Sequence, residues 1–129
     1  MSKIATKYQF ILDMLSSIGA RVYTGKASDK ATYPYAVINI TTSNNLDEQS
    51  DGLFLDVDVW DIEKGANYDA FFAIENLTDL IDSKLNYLRA NDSEHGYIVN
   101  QINRLTITDE NDSIERRKLK YYVKTYNRY

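Results

Sequence analysis

Cysteine is missing from this chain of 129 residues, proline and histidine occur once each, and there are only five glycines. The first absence excludes disulfides, thiolate catalysis and cysteine-based zinc sites, and it fits a reducing compartment. Five scattered glycines cannot build a phosphate cradle, and no G-x-x-x-x-G-K, G-x-G-x-x-G, H-E-x-x-H or G-x-S-x-G motif occurs. No apolar run approaches the roughly 20 residues of a membrane-spanning helix. Polar residues interrupt the amino-terminal MSKIATKYQFILDMLSS, so neither a membrane anchor nor a signal peptide is expected. A chain of this length is expected to form one domain and to bury roughly two thirds of its unfolded surface without covalent staples.

Charge is abundant and segregated. The net charge is −4, yet the last fourteen residues, RRKLKYYVKTYNRY, hold six basic and no acidic side chains, leaving nine basic against nineteen acidic in the other 115. So acidic a body repels phosphates, and the cationic segment is expected to be neutralised by nearby carboxylates. The segment alternates as a β-strand. Arg116, Lys118, Lys120, Tyr122, Lys124, Tyr126 and Arg128 lie on one face, with Leu119, Tyr121, Val123 and Thr125 on the other. The first face is too charged to bury alone and too rich in tyrosine to be simple solvent filler, which points to contact with another surface. Eleven tyrosines against four phenylalanines point the same way, since tyrosine is enriched at interfaces.

Ile4, Tyr8, Ile11, Leu12, Leu15 and Ile18 recur at spacings of three and four and predict a first helix, with Ser2 placed to cap it and Gly19 to end it. A short extended piece at residues 21–24 and a polar loop at 25–32 precede a strand expected from about Tyr35 to Ile40, with the single proline at its head. Residues 41–52 contain one large apolar residue, Leu46, and no periodicity, so a long, mobile connection is expected there. LFLDVDVWD then alternates, with Leu53, Leu55, Val57 and Val59 on one face and Phe54, Asp56, Asp58 and Trp60 on the other. Placed beside the carboxy-terminal strand, Asp56 and Asp58 pair with Lys118, Lys120 or Lys124, each pair contributing about 0.2 to 1 kcal/mol.

Lys64 and Gly65 open a second helix, whose broad apolar face carries Tyr68, Phe71, Phe72, Ile74, Leu77, Leu80, Ile81, Leu85 and Leu88. RANDSEHG supplies turn formers, YIVNQINRLTIT resumes an extended pattern, and residues 109–115 form an acidic stretch within a loop at 108–115 that is also expected to be mobile. The order α-β-β-β-α-β-β predicts an α+β domain: a mainly antiparallel mixed sheet with two amphipathic helices packed on it.

Four chemistries compete with a structural role. Asp56 and Asp58, with Asp61 and Glu63 beyond them, form the only carboxylate group that strand periodicity places together, but a hydrolase needs two carboxyls of separated pKa, and cross-strand pairing with lysine accounts for them. The acidic stretch from Asp109 starts like a calcium loop but has Ile114 at its sixth position and Lys120 at its twelfth, where glycine and glutamate are required. His95 reads as a surface-loop residue with no nucleophile assigned to it. Basic residues interleaved with Tyr122 and Tyr126 suit a nucleic-acid stacking sheet, a reading opposed by the acidic body. No catalytic residue, cofactor or metal ion is expected.

YPYAVINI after an amino-terminal helix, DGLFLDVDVWD between a polar loop and a helix, and RRKLKYYVKTY at the end occur in this order. On these segments the chain resembles the tail-terminator proteins of long-tailed bacteriophages, also described as tail-completion or tail-to-head joining proteins. The strongest pieces are Tyr33-Pro34-Tyr35 and the group Val57, Val59 and Trp60. The lysine and tyrosine loading of the last strand departs from the family pattern. The resemblance implies a structural subunit of the virion tail, made in the host cytoplasm. Six copies form a ring that caps the tail-tube protein, stops tube growth and presents a docking face to the head connector or neck protein. Duplex DNA passes through without specific binding, and no catalysis or membrane is involved. A head-completion protein of the same particle is the near alternative, and a nucleic-acid-binding module the more distant one. Candidate interface residues are Asp56, Asp58, Trp60, Lys118, Lys120, Tyr122, Lys124 and Tyr126, with Leu46, Asp47 and Glu48 of the preceding loop. Subunits of this size are roughly 36 Å across, so six in a ring leave a hole of about 36 Å, wide enough for a duplex of about 20 Å.

Overall fold

Periodicity of two dominates the chain, and in the computed structural model most of it pairs into one sheet. The structure describes residues 3–92 and 94–127. The expected cap at Ser2 and the face position Arg128 lie outside the described residues. Helix α1 (Lys3–Leu15) runs into a short 3-10 turn, Ser16–Ile18, and ends at Gly19, whose φ of 76° is the left-handed conformation that glycine adopts without strain. The strands are β1 (Arg21–Thr24), β2 (Tyr35–Asp47), β3 (Ser50–Ile62), β4 (Arg89–Asn91), β5 (His95–Ile107) and β6 (Ile114–Asn127), with α2 (Ala70–Leu85) between β3 and β4. Their order across the sheet is β1-β2-β3-β6-β5-β4. Only β1 and β2 run parallel; every other neighbouring pair is antiparallel. This is the expected α+β class, with one strand more than the sequence pattern shows.

Both helices pack on one face of the sheet. Phe10, Ile11 and Leu15 of α1 and Ile74, Leu77, Ile81 and Leu85 of α2 meet Ala36, Ile38, Leu53, Leu55, Val57, Val59, Val99, Leu119, Tyr121 and Val123 in a single apolar cluster. Each fully buried aliphatic contributes about 1.5 to 3 kcal/mol of transfer free energy. Polar ties fix the helices over this cluster. The Lys7 ammonium, only 2 % exposed, reaches Asp51 of β3 at 3.0 Å, and the Tyr8 hydroxyl accepts from the Ile40 amide at 2.7 Å. Phe10 stacks on Tyr97 of β5 with ring centroids 3.7 Å apart. On α2, Asp82 accepts from the Tyr121 hydroxyl at 2.6 Å and from the Gln101 side-chain Nε2 at 2.8 Å.

Several expectations need correcting. Residues 41–52 are not a long connection: β2 continues to Asp47, the turn is Glu48 and Gln49, and β3 begins at Ser50, so Leu46, Asp47 and Glu48 belong to the end of a long hairpin. Neither face of β2 is covered there, so no apolar alternation was needed, and the backbone ladder carries the structure. The second helix starts at Ala70 rather than at Lys64, because the Asp69 carboxylate caps it by accepting from the Phe72 amide at 3.2 Å. Its buried stripe is narrower than the sequence suggested: Phe71, Phe72 and Leu80 are exposed, and Tyr68 and Leu88 fall outside the helix. RANDSEHG holds a three-residue strand, β4, before its turn. His95 is buried at the start of β5, not on a surface loop. The acidic loop ends earlier than expected, since β6 begins at Ile114; the 108–113 connection contains Asx turns, in which the Asn111 and Ser113 amides donate to Asp109 and Asn111 at 2.9 Å each.

Candidate interaction surface

The face of the sheet opposite the helices carries Phe54, Asp56, Asp58 and Trp60 of β3 and Arg116, Lys118, Lys120, Tyr122, Lys124 and Tyr126 of β6. Their register places Trp60 opposite Arg116, Asp58 opposite Lys118, Asp56 opposite Lys120, Phe54 opposite Tyr122, Gly52 opposite Lys124 and Ser50 opposite Tyr126. The side chains therefore sort into three zones along the strands: an aromatic end, a charged belt and a tyrosine-covered end that leads to the hairpin tip.

In the belt, Lys118 Nζ lies 3.7 Å from Asp58 Oδ1 and 3.8 Å from Asp56 Oδ2, while Lys120 Nζ lies 3.9 Å from Asp56 Oδ1. The acidic and basic rows thus pair within one chain, on adjacent central strands, and are not two opposed edges held ready for neighbouring copies. Asp56 is 8 % exposed and its Oδ1 has no hydrogen-bond partner, so the lysines hold it at ion-pair rather than hydrogen-bond distance. Burial raises the pKa of Asp58 above the usual carboxylate value; Lys118 opposes the shift and neighbouring Asp56 adds to it. Lys124 does not join the belt: its register partner is Gly52, and its charge acts on Asp47.

At the aromatic end, Tyr35 lies 6.2 Å from Trp60, 5.2 Å from Tyr33 and 5.8 Å from Tyr23, measured between ring centroids. The guanidinium of Arg116 sits 3.8 Å over the Trp60 ring. Beside them opens a shallow cleft of about 250 Å³, lined by Lys26, Tyr35, Asp58, Trp60 and Arg116 among others. Tyr33 and Pro34 are joined by a cis peptide bond. Of this cluster the alternation pattern picked out only Trp60 and Arg116. Tyr23 sits on a four-residue strand, and Tyr33 and Tyr35 stood out only as flanks of the proline.

At the other end, tyrosine rings lie on glycine backbone. A Cβ built at Gly52 would come within 2.1 Å of the Tyr122 hydroxyl oxygen, and one at Gly96 within 2.3 Å of the Tyr126 ring. Phe54 packs against Tyr122 at 5.5 Å. Beyond them Asp47 closes the hairpin tip, accepting from the Gln49 amide at 2.8 Å; these bonds hold its carboxyl below the usual range.

The carboxylates Asp61 and Glu63, grouped with Asp56 and Asp58 in the sequence, are not part of this face. Asp61 is fully buried and accepts from the Tyr68 hydroxyl, and Glu63 accepts from the Ala70 amide at 3.2 Å. A larger groove of about 450 Å³ runs beside α1, bordered by Asp13, Asp92 and Glu94. Two of these acids already have partners: Asp13 takes a bond from Gln9, and Asp92 takes bonds from Tyr97 and from the amides of Glu94 and His95. Among the described residues, no group of three or more His, Cys, Asp or Glu side chains could hold a metal ion. Among the same residues, no helix is long and apolar enough to cross a membrane. Compared with protein-family models and with curated proteins, the sequence matches none.

Proposed function

We propose that this chain is a ring-forming structural subunit of a phage tail, assembled in the host cytoplasm, that caps the tail tube and receives the head connector. The observation that carries this reading is the concentration of Trp60, Tyr35, Tyr33, Tyr23 and Arg116 at one end of a helix-free sheet face, since tryptophan, tyrosine and arginine dominate binding hot spots. The two ends of the strands differ in chemistry. One is aromatic and cationic; the other ends in the hairpin tip with Asp47 and Glu48. A subunit that joins two unlike partners needs two unlike ends, and we assign the aromatic end to the tube.

Electron micrographs of tails made with and without this protein test the reading: overlong tails in its absence identify a terminator. Normal tails that fail to join heads identify a head-completion protein of the same neck, and no effect on particles overturns both. Trp60→Ala is expected to weaken binding to purified tube by roughly thirtyfold, the equivalent of about 2 kcal/mol, with little change in melting temperature because Trp60 lies outside the core. Unchanged affinity in a binding titration removes the aromatic end from the interface.

A second reading, nucleic-acid binding, is favoured by Tyr122 and Tyr126 beside a basic row on an open sheet face. Against it, Lys118 and Lys120 face aspartates at 3.7 to 3.9 Å and so have less charge to offer a phosphate. A steep salt dependence of DNA binding by the isolated protein supports this second reading.

A further inference from the structure

The sheet has two stepped edges. β1 covers β2 only from Tyr35 to Ile38, and β4 covers β5 only from Gly96 to Ile98. Beyond those points, among the described residues, no strand borders the outer edge of β2 at residues 41–46, whose inner edge pairs with β3, or the outer edge of β5 at residues 102–107, whose inner edge pairs with β6. Each uncovered stretch is six residues long and carries exposed apolar side chains: Leu46 is 49 % exposed on the first, Ile102 46 % and Leu105 44 % on the second. Such an edge is a template for another strand.

We propose that these two stretches are the halves of one joint, residues 41–46 of one copy pairing antiparallel with residues 102–107 of the next, so that the sheet continues from subunit to subunit. The proposal rests on the ring-forming reading and names the surface that closes the ring. Three features of the fold support it. First, direction: β2, β3, β6 and β5 alternate, so a β2 carried round in the same orientation meets β5 antiparallel. Secondly, fit: with Thr41 opposite Ile107, Leu46 falls opposite Ile102, so the extra residue that β2 carries at Leu46 meets the extra residue that β5 carries at Ile102. The part of β2 covered by β1 then lies past the end of β5, and the part of β5 covered by β4 lies past the end of β2, so neither short strand obstructs the joint.

Thirdly, closure. Within one subunit Ile107 is level with Tyr35, through Arg116 and Trp60, so setting Thr41 of the next copy opposite Ile107 shifts that copy by six residues. A step of six residues is roughly 20 Å along the strands for each repeat of four strands, itself roughly 19 Å wide. The strands then slant by about 45°, within the range of closed barrels. The contact is heterologous, one edge meeting a different one, as a ring requires.

The test uses two full-length variants at exposed positions, Leu46→Lys and Ile102→Lys, each blocking one edge. Light scattering over a concentration series is expected to show each variant self-associating only at concentrations roughly tenfold or more above wild type, a factor equivalent to about 1.4 kcal/mol. Mixed together they regain one intact joint, Leu46 of one against Ile102 of the other, and are expected to form a dimer that goes no further. Circular dichroism and melting curves matching wild type exclude misfolding, and Leu105→Lys repeats the β5 block at a second position. Rings that persist in both variants overturn the joint while leaving the ring reading intact. Loss with Leu46→Lys alone, Ile102→Lys and Leu105→Lys being silent, overturns it in favour of a twofold β2 contact. A wild-type chain that stays monomeric, with and without tube protein, overturns the joint and the ring reading together.

Discussion

Glu75→Ala is expected to lower the free energy of unfolding by about 3 kcal/mol and the melting temperature by roughly 10 °C. Glu75 of α2 accepts from two guanidiniums: that of Arg117 on β6, through Nε, and that of Arg104 on β5, at 2.7 Å. Arg117 is only 2 % exposed, and its other carboxylate partner is Glu115 at 3.3 Å. Truncating Glu75 therefore leaves a buried guanidinium short of an acceptor, the arrangement that costs most when an ion pair is broken from one side. Arg117→Met is the informative contrast. It removes the buried charge itself, fills much of the same volume and leaves Glu75 to Arg104, so its cost is expected near 1 kcal/mol. Denaturant titration of both variants checks the asymmetry, and equal losses refute it. The bonds from Arg117 and Arg104 also hold the Glu75 carboxyl below its usual pKa. The stability this linkage contributes is present at neutral pH and is lost as pH falls through the lowered folded-state value.

The second large effect is alkaline. Tyr97 and Tyr121 are buried, and each hydroxyl donates to a carboxylate: Tyr97 to Asp92 at 2.8 Å and Tyr121 to Asp82 at 2.6 Å. Burial first, and the adjacent carboxylate second, raise both phenols well above their usual value. Partly exposed Tyr68, donating to Asp61, is pushed up to about 12 for the same reasons. In the unfolded chain all three ionise from about pH 10. The folded state then holds protons that the unfolded state has released, so the contribution is intact below about pH 10 and disappears as pH rises toward the folded-state values. Each fully buried tyrosine adds about 1.4 kcal/mol per pH unit to the slope, so Tyr97 and Tyr121 together give a loss of about 3 kcal/mol per pH unit above about pH 10. Denaturant titrations at intervals from about pH 9 to pH 12 measure it. Tyr97→Phe and Tyr121→Phe, each expected to reduce the slope by about 1.4 kcal/mol per pH unit, identify the tyrosines responsible, and a stability curve flat through about pH 11 refutes the assignment.

The residues in these two effects show what the sequence made legible. Alternation in β3 and β6 was readable because one face of each strand is sealed by the helices, and opposite charges at matching strand positions were enough to identify Asp56 and Asp58 as partners of Lys118 and Lys120. Arg117 shares its parity with Leu119 and Tyr121, and that was the available sign that it is buried; its charge masked it. Lys7, inside the amphipathic repeat of α1, was masked in the same way. The distal half of β2 was illegible for a different cause. Ladder hydrogen bonds are made by backbone whatever the side chains, so a strand exposed on both faces leaves no hydrophobic signature. At Phe71, Phe72 and Leu80 the periodicity overstated the core, because apolar residues on a helix register whether or not anything covers them.

Tyr122 and Tyr126, laid over Gly52 and Gly96, act as a thin third layer on a sheet that has helices on one side only. A ring packed on glycine backbone in this way has fewer rotamers open to it than one standing free in solvent. Any surface that docked on these rings would therefore leave little ordering entropy to lose.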